Sequence, residues 1–382
     1  MSNLPFILHD LPPETEVLRL KVRAFLDDHL AGMTGEKHAH SWSGFDADFS
    51  AELGRRGWIG MTWPKEYGGG GQSALMRYVV QEELLAAGAP VSAHWIADRQ
   101  SGPLLLRYGT EEQKHCHLPA IAAGKRFFCI GMSEPDSGSD LASIRTQARP
   151  RGDGWVLNGR KVWTSHAHYA HYVIALVRTS PRNDNDRHQG LSQFIVDLTS
   201  PGITIRPIRD ITDVDHFNEV TFEDVALPGT SLIGTEGQGW NQVGAELALE
   251  RSGAERFLSS FQAVLALAQG LEQSNDPVIR RHLGRIMAHL HTLRRMSLAV
   301  ASMLQGGTNP MLQASVVKCL GADLEQELPS LAQALLDIEP DGGGPTEADR
   351  VLAYLTLASP AFSLRGGTRE ILRSVVARGL GL

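Results

Sequence analysis

The chain has 382 residues, 42% hydrophobic and 21% charged, which is ordinary globular composition, and that length exceeds one simple core, so two or three domains are expected. The net charge of −7, with basic residues scattered rather than clustered, argues against a nucleic-acid or anionic-membrane surface. Cys116, Cys129 and Cys319 have no metal-ligand spacing, no stretch reaches bilayer-spanning length, and the MSNLPFILHDLPPE opening lacks a signal peptide's cationic start and apolar run; a cytoplasmic protein without membrane insertion is expected.

Up to about residue 125 apolar residues fall three and four apart, as in EVLRLKVRAFLDDHL and ALMRYVVQEELLAAG, which predicts helices. Between those segments Trp63 to Gly71, WPKEYGGGG, reads as a loop. From about 126 to 232 the pattern is that of strands. WVLNGRKVW predicts a hairpin turning at Asn158-Gly159, and YVIALV, FIVDL, GITIRPI and NEVTFEDV follow at short intervals. A small antiparallel sandwich or barrel is expected there. After about 235 helical spacing returns, broken by DGGGP (Asp341 to Pro345) and closed by a short helix, TREILRSVVARGL. The expected domains are therefore helical over 1–125, β over 126–232 and helical over 233–382.

Three segments carry candidate chemistry. GMSEPDSGSDLASIRTQA (Gly131 to Ala148) is a loop of glycines and small hydroxyls whose amides can converge on one acceptor, or a solvated turn. No Walker or dinucleotide glycine spacing and no GxSxG occurs. In SHAHYAHY, His166 and His168 would share a face only in a strand, with His171 opposite; a loop is expected, and no metal site. Beyond Trp240 one long helix is expected, with an apolar stripe of Val243, Leu247, Ala254, Phe257, Phe261, Val264 and Ala268. Glu250 occupies the gap in that stripe, and Glu246 lies beside it. A carboxylate so placed is costly unless used or paired, whether by Arg251 or by an arginine of another helix.

GWIGMTWPKEYGG, SGPLLLRYGTEEQK, the SEP-x-SGSD segment, NGRKVWTS, FNEVTFEDVALP and GGTREILRSVVAR, taken in this order, resemble the acyl-CoA dehydrogenase family over nearly the whole chain. The resemblance implies an N-terminal helical domain, a middle antiparallel β-barrel and a C-terminal helical bundle. It also implies bound FAD, an acyl-CoA substrate, electron-transferring flavoprotein as acceptor, and a homo- or heterotetramer built as a dimer of dimers. By resemblance Met132, Ser133, Trp163 and Ser165 contact the flavin, although a strand tryptophan is equally read as core. Thr368, Glu370 and Arg280 are assigned to the rest of the cofactor, and Ser139 and Arg251 to the substrate side.

Dehydrogenating a thioester removes an α-proton as a hydride leaves Cβ, so a desolvated carboxylate is needed. Many members carry it just before the Gly-Thr of the terminal motif, where this chain has Gly366. Glu250-Arg251 matches the branch resembling isovaleryl- and long-chain acyl-CoA dehydrogenases, whose base sits in this helix, and Gly366 is expected to leave room beside the substrate. Three departures stand out: no Gln-x-x-Gly-Gly-x-Gly stretch is recognisable, Leu283 replaces phenylalanine in Arg280 to Gly284, and His171 stands where aspartate is usual. The first two resemble bacterial heterotetrameric members, some acting on CoA thioesters of steroid side chains. A partner subunit with little activity alone, or a flavin oxidase or monooxygenase on the same fold, are the alternative expectations.

Overall fold

Helical spacing is realised first as α1 (Glu14–His29), α2 (Gly35–Ala39), α3 (Ala47–Arg55), α4 (Ala74–Ala86), α5 (Ser92–Ile96), α6 (Gly102–Tyr108) and α7 (Glu111–Ala122). The starts of α2, α3, α4 and α7 follow from side-chain capping: Thr34, Asp46, Ser73 and Thr110 each accept an amide of the first turn, and Thr110 and Gln113 form a reciprocal capping box. The strands are β1 (Phe128–Gly131), β2 (Gln147–Arg151), β3 (Gly154–Lys161), β4 (Tyr172–Arg178), β5 (Leu191–Asp197), β6 (Ile203–Ile208) and β7 (Phe217–Leu227). Then come α8 (Gly239–Glu250), α9 (Phe261–Ser274), α10 (Pro277–Gln305), α11 (Met311–Leu336), α12 (Glu347–Ala358) and α13 (Arg369–Gly379). This computed structural model describes residues 6–7, 10–183, 185–250, 253–339 and 344–382, with the backbone alone at 247–250 and 273–274. Among the described residues no helix is long and apolar enough to cross a membrane.

The fold is α+β, with helices before and after a β region, as periodicity and resemblance lead one to expect. By contacts the chain separates into two compact units, one of Met1–Phe45, Gln72–Ser92 and Glu250–Leu382, the other of Asp46–Gly71 and Ala93–Leu249. In the second unit the seven strands make one half-barrel sheet, ordered β1-β4-β2-β3-β7-β6 with β5 added on β4. Most pairings are antiparallel, but β1 and β2 run parallel to β4. The sheet's inner face buries Leu157, Val173, Ala175, Phe194, Val220 and Phe222. In the first unit α4 packs against α1 and α10, and an ion-pair cluster joins the three: Arg19 and Arg294 both reach Glu82, while Arg19 and Arg23 reach Glu83.

Two local expectations are corrected. Asn158-Gly159 is no hairpin turn, because β3 runs straight through it. The irregularity lies opposite, on β7, where Asp224 takes φ +50° and register shifts between Leu157 and Gly159. Asn158 stabilises that bulge by accepting from Asp224 N–H (2.9 Å) and donating to the Asp224 carboxylate (3.0 Å). Gly159, at φ +143°, is needed because a Cβ there would sit 2.5 to 2.7 Å from Thr146. The β2–β3 turn is instead made at Gly152, φ +62°.

The long helix beyond Trp240 is likewise divided. α8 ends at Glu250, Gly253 is extended (φ −103°, ψ 176°), a short 3-10 turn covers Ala254–Arg256, and α9 starts at Phe261. Ala254, Phe257 and Val264 are buried as the stripe requires, but they do not share a helix with Val243. One backbone-extended glycine is enough to break the periodic face.

Candidate functional site

The SEP-x-SGSD segment leaves β1 and returns to β2, and its shape is fixed by Glu134. Glu134 exchanges backbone hydrogen bonds with Ser137 (2.9 and 3.0 Å), closing a tight turn. Its carboxylate turns inward and accepts from the amides of Arg145 (2.7 Å) and Thr146 (2.9 Å) and from Lys161 Nζ (2.8 Å). Lys161 is fully buried and also donates to the Met132 carbonyl at 3.1 Å. Burial lowers the lysine to about 8, opposed by the Glu134 charge. Burial also pushes the Glu134 carboxyl up, but Lys161 and the amide hydrogen bonds outweigh it and hold the group below its ordinary range. At neutral pH both partners are charged. Arg178 completes the brace, its guanidinium donating to the carbonyls of Ala142 (2.5 Å), Ile144 (3.0 Å), Arg187 (3.3 Å) and Gln189 (3.1 Å).

Met132 and Ser133 therefore stand on a rigid support. The Ser133 carbonyl accepts from Val162 N–H (3.0 Å), which puts this segment beside the turn that follows β3. In that turn Trp163 adopts φ +59° and His166 φ +54°, conformations that cost a non-glycine residue about 1–2 kcal/mol. Trp163 is 56% exposed, so its core-packing reading is overturned; its ring lies T-shaped to that of Phe217, centroids 5.8 Å apart. Thr164 is fully buried and its hydroxyl has no hydrogen-bond partner among the described residues, while Ser165 is half-buried. An open indole face and the braced Met132-Ser133 segment suit a planar aromatic group. Ser139 is exposed on the outer part of the same loop, next to Asp140, which pairs with Arg187.

The other candidates lie in the first unit. Thr368 is the N-cap of α13, its hydroxyl accepting from Ile371 N–H. Glu370 is exposed in the first turn, and hydrogen bonds from its own amide and the Thr368 hydroxyl hold its carboxyl below the usual value. Arg280 is exposed in the first turn of α10 and bonds Asn275. The side chain of Glu250 and the whole of Arg251 lie outside the described residues.

Sequence reasoning put Glu246 beside the stripe, yet it is only 1% exposed and accepts from Gln193 Nε2 on β5 at 2.7 Å. It lies on the face of α8 that carries Val243, which packs with Ile144, Leu176 and Leu191, with Met132 and Trp240 against the same cluster. Lys161, Glu134 and Asn218 were passed over as well. A count in twos from buried Leu157 reaches Lys161, and from Val220 reaches Asn218, so both stand at inward positions legible from strand period. His171, the departure from aspartate, has a structural use: its Nδ1 accepts from Phe127 N–H at 3.1 Å. Among the described residues no group of three or more histidine, cysteine or acidic side chains could hold a metal, and the three cysteines are free.

Gly366 also differs from expectation. It adopts φ +70°, and a Cβ there would lie 3.0 Å from Arg256 Nη2. The room that a glycine was expected to leave is taken by this buried guanidinium, which with Arg365 flanks the Trp42 ring at 5.7 and 4.3 Å. Gly366→Ala is expected to destabilise the protein by about 1–2 kcal/mol through the left-handed backbone alone, read as a lower urea midpoint at unchanged slope.

Three family models match the chain: acyl-CoA dehydrogenase N-terminal domain over residues 12–125, middle domain over 129–225 and C-terminal domain over 237–381. Acyl-CoA dehydrogenase IpdE1 of Mycobacterium tuberculosis is 35% identical over 97% of this chain and 98% of its own length. IpdE1 of Mycolicibacterium smegmatis is 33% identical over 97% and 98%. Among solved structures, the Tcur3481-Tcur3483 steroid ACAD matches with a TM-score of 0.86 at 29% identity, covering 98% of this chain and 99% of that one. The ChsE4-ChsE5 complex of Mycobacterium tuberculosis matches with a TM-score of 0.85 at 31% identity, covering 98% and 99%.

Proposed function

The chain belongs to the acyl-CoA dehydrogenase family, and from that premise we propose that it oxidises an acyl-CoA thioester to the trans-2-enoyl-CoA with FAD as cofactor and Glu250 as the α-proton acceptor. The observation that carries the flavin half of this reading is Trp163, an exposed ring on a left-handed backbone beside the braced Met132-Ser133 segment. Met132, Ser133, Trp163 and Ser165 would hold the flavin ring, and Arg280, Thr368 and Glu370 the remainder of the cofactor. Ser139 and Arg251 would bind the substrate. Bound FAD supplies the acceptor for the hydride that leaves the substrate's Cβ. Glu250 takes the α-proton, and the electron pair of that C–H bond forms the Cα–Cβ double bond as the hydride departs. Electron-transferring flavoprotein is the proposed onward acceptor.

The acyl group is proposed to be a steroid side chain or a comparably bulky acid, because one of the solved relatives is titled a steroid enzyme. Anaerobic mixing of the flavin-loaded protein with straight-chain, branched and steroid side-chain acyl-CoAs tests this. Bleaching of the visible flavin band by a steroid thioester ahead of straight-chain ones is expected. Bleaching by none of them would overturn the reading.

A second reading has its own support, since both solved relatives described above carry two chain names in their titles. A heterotetramer in which a related chain completes the flavin site is distinguished by purifying this chain with and without its genomic neighbour and comparing flavin content and subunit composition. Reoxidation of the reduced enzyme by oxygen faster than by electron-transferring flavoprotein would favour an oxidase instead.

A further inference from the structure

Asn218 lies at the inward start of β7, fully buried in the family-like FNEVTFEDV run, with no role assigned to it above. The hydrogen bonds of its carbonyl and its side chain go to the turn that carries Trp163. Its carbonyl accepts from Thr164 N–H (3.0 Å), its Nδ2 donates to the Thr164 carbonyl (3.0 Å), and its Oδ1 accepts from His168 Nδ1 (2.8 Å). Because Nδ2 is committed to a carbonyl, Oδ1 must face the imidazole, so His168 carries its proton on Nδ1.

The flanking residues extend the same grip. The His216 carbonyl accepts from His166 N–H (2.7 Å), and Phe217 meets Trp163 edge to face. Within the turn the amides of Tyr169 and Ala170 donate to the His166 carbonyl, both C-terminal to Thr164. Two left-handed non-glycine residues persist only where the surroundings over-determine them. At Thr164, the residue between Trp163 and Ser165, that constraint comes from Asn218, which binds both its N–H and its carbonyl and so holds the two peptide groups that flank its Cα.

We infer that Asn218 is a positioning residue for the flavin-facing turn, clamping Thr164 so that Trp163 and Ser165 keep one orientation toward the cofactor. This rests on the proposal that Trp163 and Ser165 contact FAD. Relaxation of the turn in Asn218→Ala lets Trp163 leave its left-handed conformation, and the cofactor then has to restore that order on binding.

The test is a double-mutant cycle on the full-length protein, with FAD affinity and the visible circular dichroism of bound flavin as readouts. Asn218→Ala is expected to weaken FAD binding about tenfold or more, the loss of one to two buried hydrogen bonds. In a Trp163→Ala background the same change should cost less than about threefold, since the clamp's beneficiary is gone. Asn218→Asp keeps size and the acceptor for His168 but sets an oxygen against the Thr164 carbonyl, so it should resemble the alanine variant and guards against a cavity effect. Amide exchange measured on a peptide spanning 160–170 should speed up in both variants without FAD. Equal losses in the two backgrounds, or unchanged affinity with unchanged exchange, would overturn the inference while leaving the flavin reading intact. If Trp163→Ala itself alters neither affinity nor the flavin signal, the flavin reading fails and this inference falls with it.

Discussion

Glu250→Gln is expected to lose flavin reduction by acyl-CoA while retaining its FAD. A positioned general base contributes about 10²- to 10⁴-fold, and glutamine preserves the shape while removing the proton acceptor. Anaerobic stopped-flow measurement of the reduction rate, with flavin content checked in the same sample, gives the answer. The control is Glu246→Gln, four residues earlier in α8. Glu246 is buried and already accepts a hydrogen bond from Gln193, so its loss should appear in stability, at about 1–3 kcal/mol, with the reduction rate changed far less. Reduction at the wild-type rate in Glu250→Gln, or its loss only in Glu246→Gln, would remove the base assignment.

Glu134→Gln should produce the largest stability loss in the β unit. It leaves the buried Lys161 ammonium without its counter-charge, a change worth about 3–5 kcal/mol when one partner of a buried pair is removed. Lys161 already sits near 8 and can shed its proton, which places the expectation toward the lower end. Urea unfolding gives the value directly. Lys161→Met in the same chain should recover part of it, because the pair is then replaced rather than broken.

The pH dependence has a definite sign. Glu134's folded value lies below 4.5, so its contribution is fully present above the unfolded value and is lost as pH falls through the folded one. Lys161 is also depressed, to about 8 from 10.5; between those values the unfolded chain binds a proton that the folded one lacks, so this group makes stability rise with pH across that window. Glu134→Gln should flatten the acid limb relative to wild type. An unchanged acid limb would mean that Glu134 is not the group lost there.

The succession of helical, β and helical segments was legible because burial period is local: residues three and four apart make one helix face, and alternate residues one strand face. Val173, Ala175 and Val177 line the sheet core as a simple count in twos requires. The same counting reaches Lys161 and Asn218, but it says only that a polar side chain points inward, not what meets it. The hairpin at Asn158-Gly159 failed because a bulge on β7 uses the same residues as a turn does, and which one forms depends on the strand opposite.

Gly366 and Trp163 divide in the same way. That Gly366 cannot carry the commoner base is fixed by the residue type in the sequence. That its space is filled by the Arg256 guanidinium is decided by the fold, since the two positions are far apart in the chain. For Trp163, the motif named a candidate for flavin contact, but a tryptophan at a strand end packs inward or faces outward with equal warrant. The left-handed turn, its strap to residues 216–218 and the exposed indole belong to tertiary structure. A side chain's orientation is set by partners distant in sequence, and no local period encodes them.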